Sequence, residues 1–365
     1  MASAATVPSP APQKLHPSDI SSIKDFAESI AGSAIPSTYH SITEGRDDVA
    51  DELAASLPVI DLSLLTSTDP VIHAGAVREL GRACQDWGFF LLINHGISES
   101  LIEDVVKKSL EFHNLPFEEK NEFNDEGMFA PIRYGTSALP HGIGETVHYW
   151  RDYLKITTFP EFNFPNKPPG FKEVGYDYSR KIRAAARTLL QGISESLGLE
   201  PNTIVESTNF DSGFQKFQVN LYPPCPQPDL TLGLPAHTDN GFLTLLIQNG
   251  IGGLQLKHEG KWVNVTPLPN CIIVNTGDQL EVVSNGRYKS IWHRVVVNER
   301  VTRVSLALGN GPPYDQEIGP LPQLLEKEKP VFRSITYREF LKLQQKVRCD
   351  NKPRGLEELR IKPQD

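Results

Sequence analysis

Nowhere in the 365 residues does an apolar run approach the roughly 20 that a membrane-spanning helix requires, so the sequence offers no membrane span. Positive charge is not in excess either. The 36 Lys and Arg stand against 45 Asp and Glu, for a net charge of -9. That removes the basic footprint expected of a nucleic-acid partner and does not favour an anionic membrane surface. Cysteine is scarce: Cys84, Cys225, Cys271 and Cys349 lie far apart and form no CxxC pair. Neither a zinc ribbon nor a disulfide scaffold is suggested, and reduced thiols in a cytoplasmic protein are expected. No internal repeat is visible. Gly250-Ile-Gly-Gly253 lacks both the register and the following helix of a dinucleotide-binding turn, and reads as a simple turn. The stretch from Met1 to Pro12 is rich in Ala, Ser and Pro, has no apolar segment of the secretory kind, and reads as a disordered arm.

What is present is an ordinary soluble composition, 39% hydrophobic and 22% charged, in a chain long enough to bury a sizeable core. Helical spacing predicts a short helix from Ser18 to Ile30, with Ser18 or Asp19 as its N-cap, and longer ones over His73–Trp87, Ser98–Phe112 and Asp177–Leu199. Leu57–Leu62 and the apolar run Phe89–Ile93 read as strands, the second buried on both faces. From Phe129 to Trp150, Gly and aromatic residues mix without a period, which predicts irregular backbone. From Phe217 the texture changes to short strands at regular spacing: 217–221, 243–248, 254–257, 262–265, 271–276, 293–297 and 303–308. That pattern predicts a β-sandwich or barrel. Helix returns over Tyr337–Lys346.

Leu234-Pro-Ala-His-Thr-Asp-Asn-Gly241 places His237 and Asp239 two residues apart. On an extended strand they share one face and can offer one nitrogen and one oxygen to a single metal. A His–Asp hydrogen bond would satisfy the same pair. His293, in the strand-like run Ser290–Val297, completes two imidazoles and one carboxylate. That set suits a facial non-haem Fe(II) site with open positions. Arg303 and Ser305 also share a strand face and together make a carboxylate receptor.

These residues resemble the plant Fe(II)/2-oxoglutarate-dependent dioxygenases, in a match that runs from Leu57 to Gln345. It is carried by His237-Thr-Asp239, His293, Arg303-Val-Ser305, Asn220-Leu-Tyr-Pro-Pro-Cys-Pro-Gln-Pro-Asp229, Gly253-Leu-Gln-Leu256 and Asn275-Thr-Gly-Asp-Gln279. Pro58-Val-Ile-Asp61, Trp87-Gly-Phe-Phe90 and Asn94-His-Gly-Ile97 extend it towards the N-terminus.

The resemblance implies a mixed α and β chain, with a double-stranded β-helix (jelly roll) core flanked by helices and a largely helical N-terminal region. It divides the chain into an arm with a short helix (1–56), a largely helical dioxygenase region (57–210), a jelly-roll core (211–315) and a helical end (316–365). It implies that His237, Asp239 and His293 bind Fe(II), and that Arg303 and Ser305 take the C5 carboxylate of 2-oxoglutarate. Tyr222 and Asn220 would assist at the other end of that cosubstrate. O₂ is the oxidant, ascorbate a reductant, and succinate and CO₂ are released.

Asp239 stands where related halogenases carry a small residue, which points to oxygenation. Hydroxylation of a small specialised plant metabolite by a monomeric enzyme is the expected outcome. Demethylation, desaturation, ring closure, hormone metabolism, ascorbate-driven oxidation and a non-catalytic ligand-binding role are the alternatives. Gln218 and Gly309 replace the Lys and Phe of flavonoid-oxidising relatives, which argues against a flavonoid substrate. Phe129, Tyr134, His148, Trp150, Tyr153, Phe242 and Leu308 are the candidate walls of the substrate pocket.

Overall fold

The computed structural model describes residues 20, 22–30, 32–41, 49–50, 56–124, 127, 129–141, 145–349 and 354–362, with backbone alone for 138–146 and 348–349. Helix α1 (Ile23–Ile30) is followed by strand β1 (Val59–Asp61) and helix α2 (Pro70–Arg82). Asp69 caps α2, accepting from the amides of Val71 and Ile72, and Pro70 takes the first helical position, where no amide is needed. The helix runs on as one π turn to Trp87 and stops at Gly88. Gly88 has a φ of +61°, and a Cβ there would lie 2.6 Å from the Lys289 carbonyl oxygen, so only glycine fits. Strand β2 (Phe89–Ile93) emerges directly from that turn.

Helices α3 (Glu99–His113) and α4 (Phe117–Asn121) lead into a region that departs from expectation. Residues 142–144 lie outside the described residues, but 132–141 and 145–150 do not form irregular backbone. They supply most of a long antiparallel hairpin, β3 (Ile132–His141) and β4 (Glu145–Phe159). Its Gly and Pro residues hide the period-two pattern, and an irregular register between Thr136 and Ser137 breaks it once more.

Helix α5 (Phe171–Ser196) buries Ile182, Ala186, Leu189, Leu190 and Ile193, and short α6 (Thr203–Ser207) follows. The β-rich half contains β5 (Phe214–Tyr222), β6 (Leu232–His237), β7 (Leu243–Gln248), β8 (Leu254–His258), β9 (Lys261–Asn264) and β10 (Ile272–Thr276). Helix α7 (Asp278–Val283), β11 (His293–Val296), β12 (Arg303–Gly311), β13 (Glu317–Ile318), α8 (Pro322–Leu325), β14 (Ile335–Thr336) and α9 (Tyr337–Cys349) complete it. Strand β6 and helix α7 had no separate signal in the sequence.

Among the described residues two main sheets result, in the order β1-β2-β10-β7-β12-β5-β4-β3 and β6-β11-β8-β9, and β13 pairs with β14 in a separate two-stranded one. This is the jelly-roll core flanked by helices. Alternation assigns the two faces of the larger sheet. Val304, Leu306 and Leu308 on β12, with Phe217, Val219 and Leu221 on β5, join the core that α2, α3 and α5 complete. Arg303, Ser305, Ala307 and Gly309 have the opposite parity and face the smaller sheet.

Helix α1 is held from a distance. Ser18 and Asp19 lie outside the described residues, and Ser22 provides the local cap, its hydroxyl accepting from the Asp25 amide. The Asp152 carboxylate on β4 accepts from Ile23 N at 2.7 Å, Lys24 N at 3.0 Å and Ser22 Oγ at 3.1 Å. Burial raises the Asp152 carboxyl from 3.8 to about 6, against those hydrogen bonds and the charge of Lys120. The folded protein therefore binds this proton more tightly than the unfolded chain. The stability it contributes is complete below the unfolded value and is lost as pH rises through about 6. A displacement of that size corresponds to ~3 kcal/mol. Asp152→Asn, which cannot titrate, should remove that fall from the unfolding free energy measured by urea titration at a series of pH values. A wild-type and variant profile of equal slope between about pH 4 and 6 would contradict it.

Candidate active site

The triad expected from the sequence assembles between the two sheets. His293 on β11 pairs directly with His237 on β6, so the smaller sheet sets the two imidazoles side by side. Their ring centroids are 4.1 Å apart. Asp239 does not share a strand with His237, because β6 ends at His237 and Asp239 lies in the bend beyond it. The outcome is still convergent: Asp239 Oδ1 is 3.7 Å from Nε2 of both His237 and His293. The potential ligand atoms all lie within 4.8 Å of one another.

Both rings are oriented by their other nitrogen. His237 Nδ1 lies 2.9 Å from the Pro235 carbonyl oxygen and His293 Nδ1 3.1 Å from that of Ile291. A carbonyl only accepts, so Nδ1 carries the proton and Nε2 presents a lone pair, the form a metal requires. Asn275 on β10 donates to Asp239 Oδ2 at 2.9 Å. Burial works to raise the Asp239 carboxyl. The His293 and His237 imidazoles outweigh it, with hydrogen bonds from Asn275 and Thr244, and hold the group below the ordinary carboxylate value. A carboxylate kept ionised beside two unprotonated imidazole nitrogens fits a hard divalent cation.

The loop that carries Asp239 is fixed from three directions. Asp278 N donates to the Asp239 carbonyl oxygen at 2.7 Å, and Gly277 N to that of Phe242 at 2.8 Å. Gly241 passes so close to β12 that a Cβ would lie 2.4 Å from the Asn310 carbonyl oxygen. From α9, Gln344 Nε2 donates to Asn240 Oδ1 at 3.0 Å and to Asp278 Oδ2 at 2.8 Å. Gln344 escaped the sequence reading, and Asn275 entered it only within the Asn275–Gln279 motif, without a role, because neither forms a local pattern with the residues it supports. Asn275→Ala removes the donor that aims Asp239 and is expected to weaken Fe(II) or Mn(II) affinity ~10–100-fold with the fold retained. Competition against a metal-sensitive dye would measure the loss; unchanged affinity would exclude that role for Asn275.

The second part of the site lies on the larger sheet. Arg303 pairs with Tyr222 and Ser305 with Asn220, across β12 and β5. The Arg303 guanidinium is 5.0 Å from the Tyr222 ring centroid and is 1% exposed. One nitrogen donates to Gln248 Oε1 at 2.8 Å, while Nε and Nη1 are buried with no hydrogen-bond partner. Burial lowers the Arg303 pKa, though the group stays charged, and the neighbouring Tyr222 opposes the fall. A buried cation with two unsatisfied donors costs free energy until an anion meets it. A carboxylate matches that fork.

The substrate-wall candidates divide. Leu308 has the wrong parity: it stands between Ala307 and Gly309 and points into the core under the helices. Phe242 is fully buried there too, its ring against Phe210. Tyr134 packs against Phe112 with Lys120 over its ring. Trp150 is wholly buried beside Phe26 and Tyr39, and its indole donates to the Pro223 carbonyl oxygen. These four are core residues, because aromatic or apolar character in a strand says nothing about which face it takes.

Phe129 is exposed, its ring edge-on to Tyr314. His148 is half-buried against Tyr39, and half-buried Tyr153 stands between Arg151 and Lys155. Strand register places Gln218 and Gly309, which the sequence reading noted, beside residues it passed over. Lys155, Gln218 and Ala307 form one row across the inner face, and Lys216, Gly309 and Thr244 form another. A Cβ at Gly309 would meet only Thr244 Oγ1, at 3.8 Å, so Gly309 leaves open space on the same face as Arg303 and Ser305. Counting forward in twos from Ser305 would have placed it on that face. A separate cavity of about 400 Å³, lined by residues such as Phe159, Arg180, Arg183 and Phe210, includes none of the triad or the Arg303 group.

Comparison with known proteins agrees with this geometry. The profile of the 2OG-Fe(II) oxygenase superfamily matches residues 213–312, and that of the non-haem dioxygenase in morphine synthesis N-terminal region matches residues 57–173. The chain is 41% identical over 318 residues to 2-oxoglutarate-dependent dioxygenase 19 of Oryza sativa subsp. japonica, covering 87% of this chain and 94% of that protein. It is 42% identical over 294 residues to flavanone 3-dioxygenase 2 of the same organism, covering 79% and 83%. Among solved structures it resembles JOX2 in complex with 2OG, Fe and JA, with a TM-score of 0.82 and 28% identity over 94% of this chain and 98% of that one.

Proposed function

The chain belongs to the 2OG-Fe(II) oxygenase superfamily and is a 2-oxoglutarate-dependent dioxygenase; from that premise we propose which of its residues do the work. His237, Asp239 and His293 hold the iron, and Arg303 and Ser305 receive the C5 carboxylate of 2-oxoglutarate. Tyr222 and Asn220 flank the cosubstrate. The reaction is hydroxylation of a C–H bond in a small plant metabolite. The observation that carries this reading is the pairing of a convergent His–Asp–His donor set with the orphaned guanidinium of Arg303, both between the same two sheets.

Bound iron supplies O₂ activation, coupled to conversion of 2-oxoglutarate to succinate and CO₂. The chain's own residues supply orientation. The Pro235 and Ile291 carbonyls keep the protons on Nδ1, so both Nε2 lone pairs stay available to the metal. Asn275 holds the Asp239 carboxylate by one oxygen and leaves the other facing the imidazoles. Arg303 is buried with Nε and Nη1 lacking acceptors, and it receives the far carboxylate on its free Nη edge, beside the donor that Nη2 gives Gln248. Ala307 and Gly309 leave the adjoining surface low enough for a substrate to approach. A carboxylate at position 239, in place of a small residue, favours oxygen insertion over halide transfer.

The purified chain, reconstituted with Fe(II) under nitrogen, should release succinate in a substrate-dependent way from a panel of plant metabolites when O₂ is admitted. A product one oxygen atom heavier is expected. A product lighter by a methylene group or by two hydrogens would replace hydroxylation with demethylation or desaturation. JA belongs in the panel because the likeness to JOX2 spans most of both chains. We further propose a cytoplasmic monomer, to be checked by light scattering on the eluted protein and by imaging a tagged chain. Among the described residues no helix is long and apolar enough to cross a membrane.

A further inference from the structure

We infer that Arg151 is a positioning residue for the cosubstrate: it locks the side-chain amide of Asn220 so that Nδ2 faces Ser305 and an oxygen of 2-oxoglutarate. The inference rests on the proposed placement of 2-oxoglutarate against Arg303, Ser305 and Asn220. Its starting point is a buried cation that neither the metal nor the Arg303 group explains.

Arg151 is 5% exposed. It sits where the hairpin register jumps: Ser137 pairs with Tyr149 and Thr136 with Asp152, leaving Trp150 and Arg151 as extra residues on β4. Such a bulge re-aims a side chain, here across the inner face of the sheet. Arg151 Nε donates to Ser137 Oγ at 2.9 Å, and Nη2 makes a second, short contact with the same oxygen. Nη1 donates to Asn220 Oδ1 at 3.0 Å. The neighbouring carboxylate, Asp152, is committed to the end of α1. The hydrogen bonds of Arg151 to Ser137, to Asn220 and to the Tyr222 hydroxyl thus end on neutral oxygens.

The consequence lies in the amide. Asn220 Oδ1 accepts from Arg151 at 3.0 Å and from Gln218 Nε2 at 2.8 Å, while Nδ2 lies 3.4 Å from Ser305 Oγ. An amide can be turned end for end at little steric cost, so its neighbours decide which atom faces which way. Gln218 cannot decide, because its own amide can turn with that of Asn220. A guanidinium has donors and no acceptor. Turning Asn220 would press Nδ2 against a charged N–H in a buried site. Arg151 therefore makes one orientation obligatory, and in that orientation Asn220 offers a donor to the cosubstrate. Ser137, on the hairpin's other strand, holds Arg151 in place for the task.

The test is 2-oxoglutarate binding by isothermal titration to the full chain loaded with Mn(II) under nitrogen, alongside urea unfolding of the metal-free protein. Arg151→Gln, which can offer either an oxygen or a nitrogen, should raise Kd about tenfold, the effect of one charge-assisted hydrogen bond. Arg151→Lys, which keeps donors only, should stay within about threefold of wild type. In an Asn220→Ala background, Arg151→Gln should change Kd no further, because its route to the cosubstrate is gone. Asn220→Asp should hold or raise stability, through a charged pair with Arg151, while weakening 2-oxoglutarate binding. A merely structural tie would instead lower stability in Arg151→Gln and leave Kd unchanged. That result, or a full effect persisting in the Asn220→Ala background, overturns the inference. If wild type binds 2-oxoglutarate and Arg303→Met binds it equally well, the placement of the cosubstrate has failed instead.

Discussion

Asp239→Ala should leave a protein that folds but neither retains iron nor turns over. Substitution leaves two neutral imidazoles, His237 and His293, and removes the one anionic ligand from a donor set whose atoms converge within 4.8 Å. O₂ activation disappears with the metal, so substrate-dependent succinate release should fall by ~10³-fold or more. The fold should survive, because Asp239 lies in a bend held by backbone hydrogen bonds from Asp278 to its own carbonyl and from Gly277 to that of Phe242. Atomic emission after anaerobic reconstitution measures the iron, and circular dichroism verifies the fold. Wild-type iron content together with wild-type turnover would remove Asp239 from the metal site.

Arg303→Met should move stability and cosubstrate affinity in opposite directions. In the metal-free, cosubstrate-free protein the Arg303 guanidinium is buried with two N–H groups unsatisfied. Replacing a buried, poorly compensated charge by an apolar side chain of similar length is stabilising by ~1–3 kcal/mol. When 2-oxoglutarate binds, the same guanidinium meets a carboxylate, and losing that pair costs ~2–5 kcal/mol, or roughly 30- to 4,000-fold in Kd. Urea unfolding of the metal-free variant and titration of the Mn(II)-loaded one measure the two effects. A variant that is less stable and binds 2-oxoglutarate as tightly as wild type would make Arg303 a structural residue. The opposed signs separate a binding group from a fold-stabilising one, since an ordinary core arginine would weaken both together.

The distance between sequence and structure is clearest at β12. Arg303 and Ser305 were legible as a pair because two residues on a strand share a face. The same rule excludes Leu308 from the pocket and points to Gly309, yet an aromatic-and-apolar search favours Leu308. At the hairpin the difficulty was different. Residues 132–141 and 145–159 form two paired strands, but the Gly and Pro residues and the register jump at Arg151 erase the alternation that would announce them. The expected shared strand of His237 and Asp239 was incorrect in detail and right in consequence, since a bend after β6 brings the carboxylate to the same point.

The sequence by itself determined the chemistry available here: two imidazoles, a carboxylate and an Arg-x-Ser pair in a β-rich half, with no excess of positive charge and no long apolar run. Those are properties of side chains and of short-range periodicity, and both are written locally. Only the tertiary structure decided what supports that chemistry. Asn275 reaches Asp239 across 36 positions, Arg151 reaches Asn220 across 69, and Gln344 holds the metal loop from 104 positions away. Such contacts depend on strand register and on which face a bulge presents. No local pattern encodes them, because each partner satisfies its hydrogen-bonding requirement only after the sheets have closed.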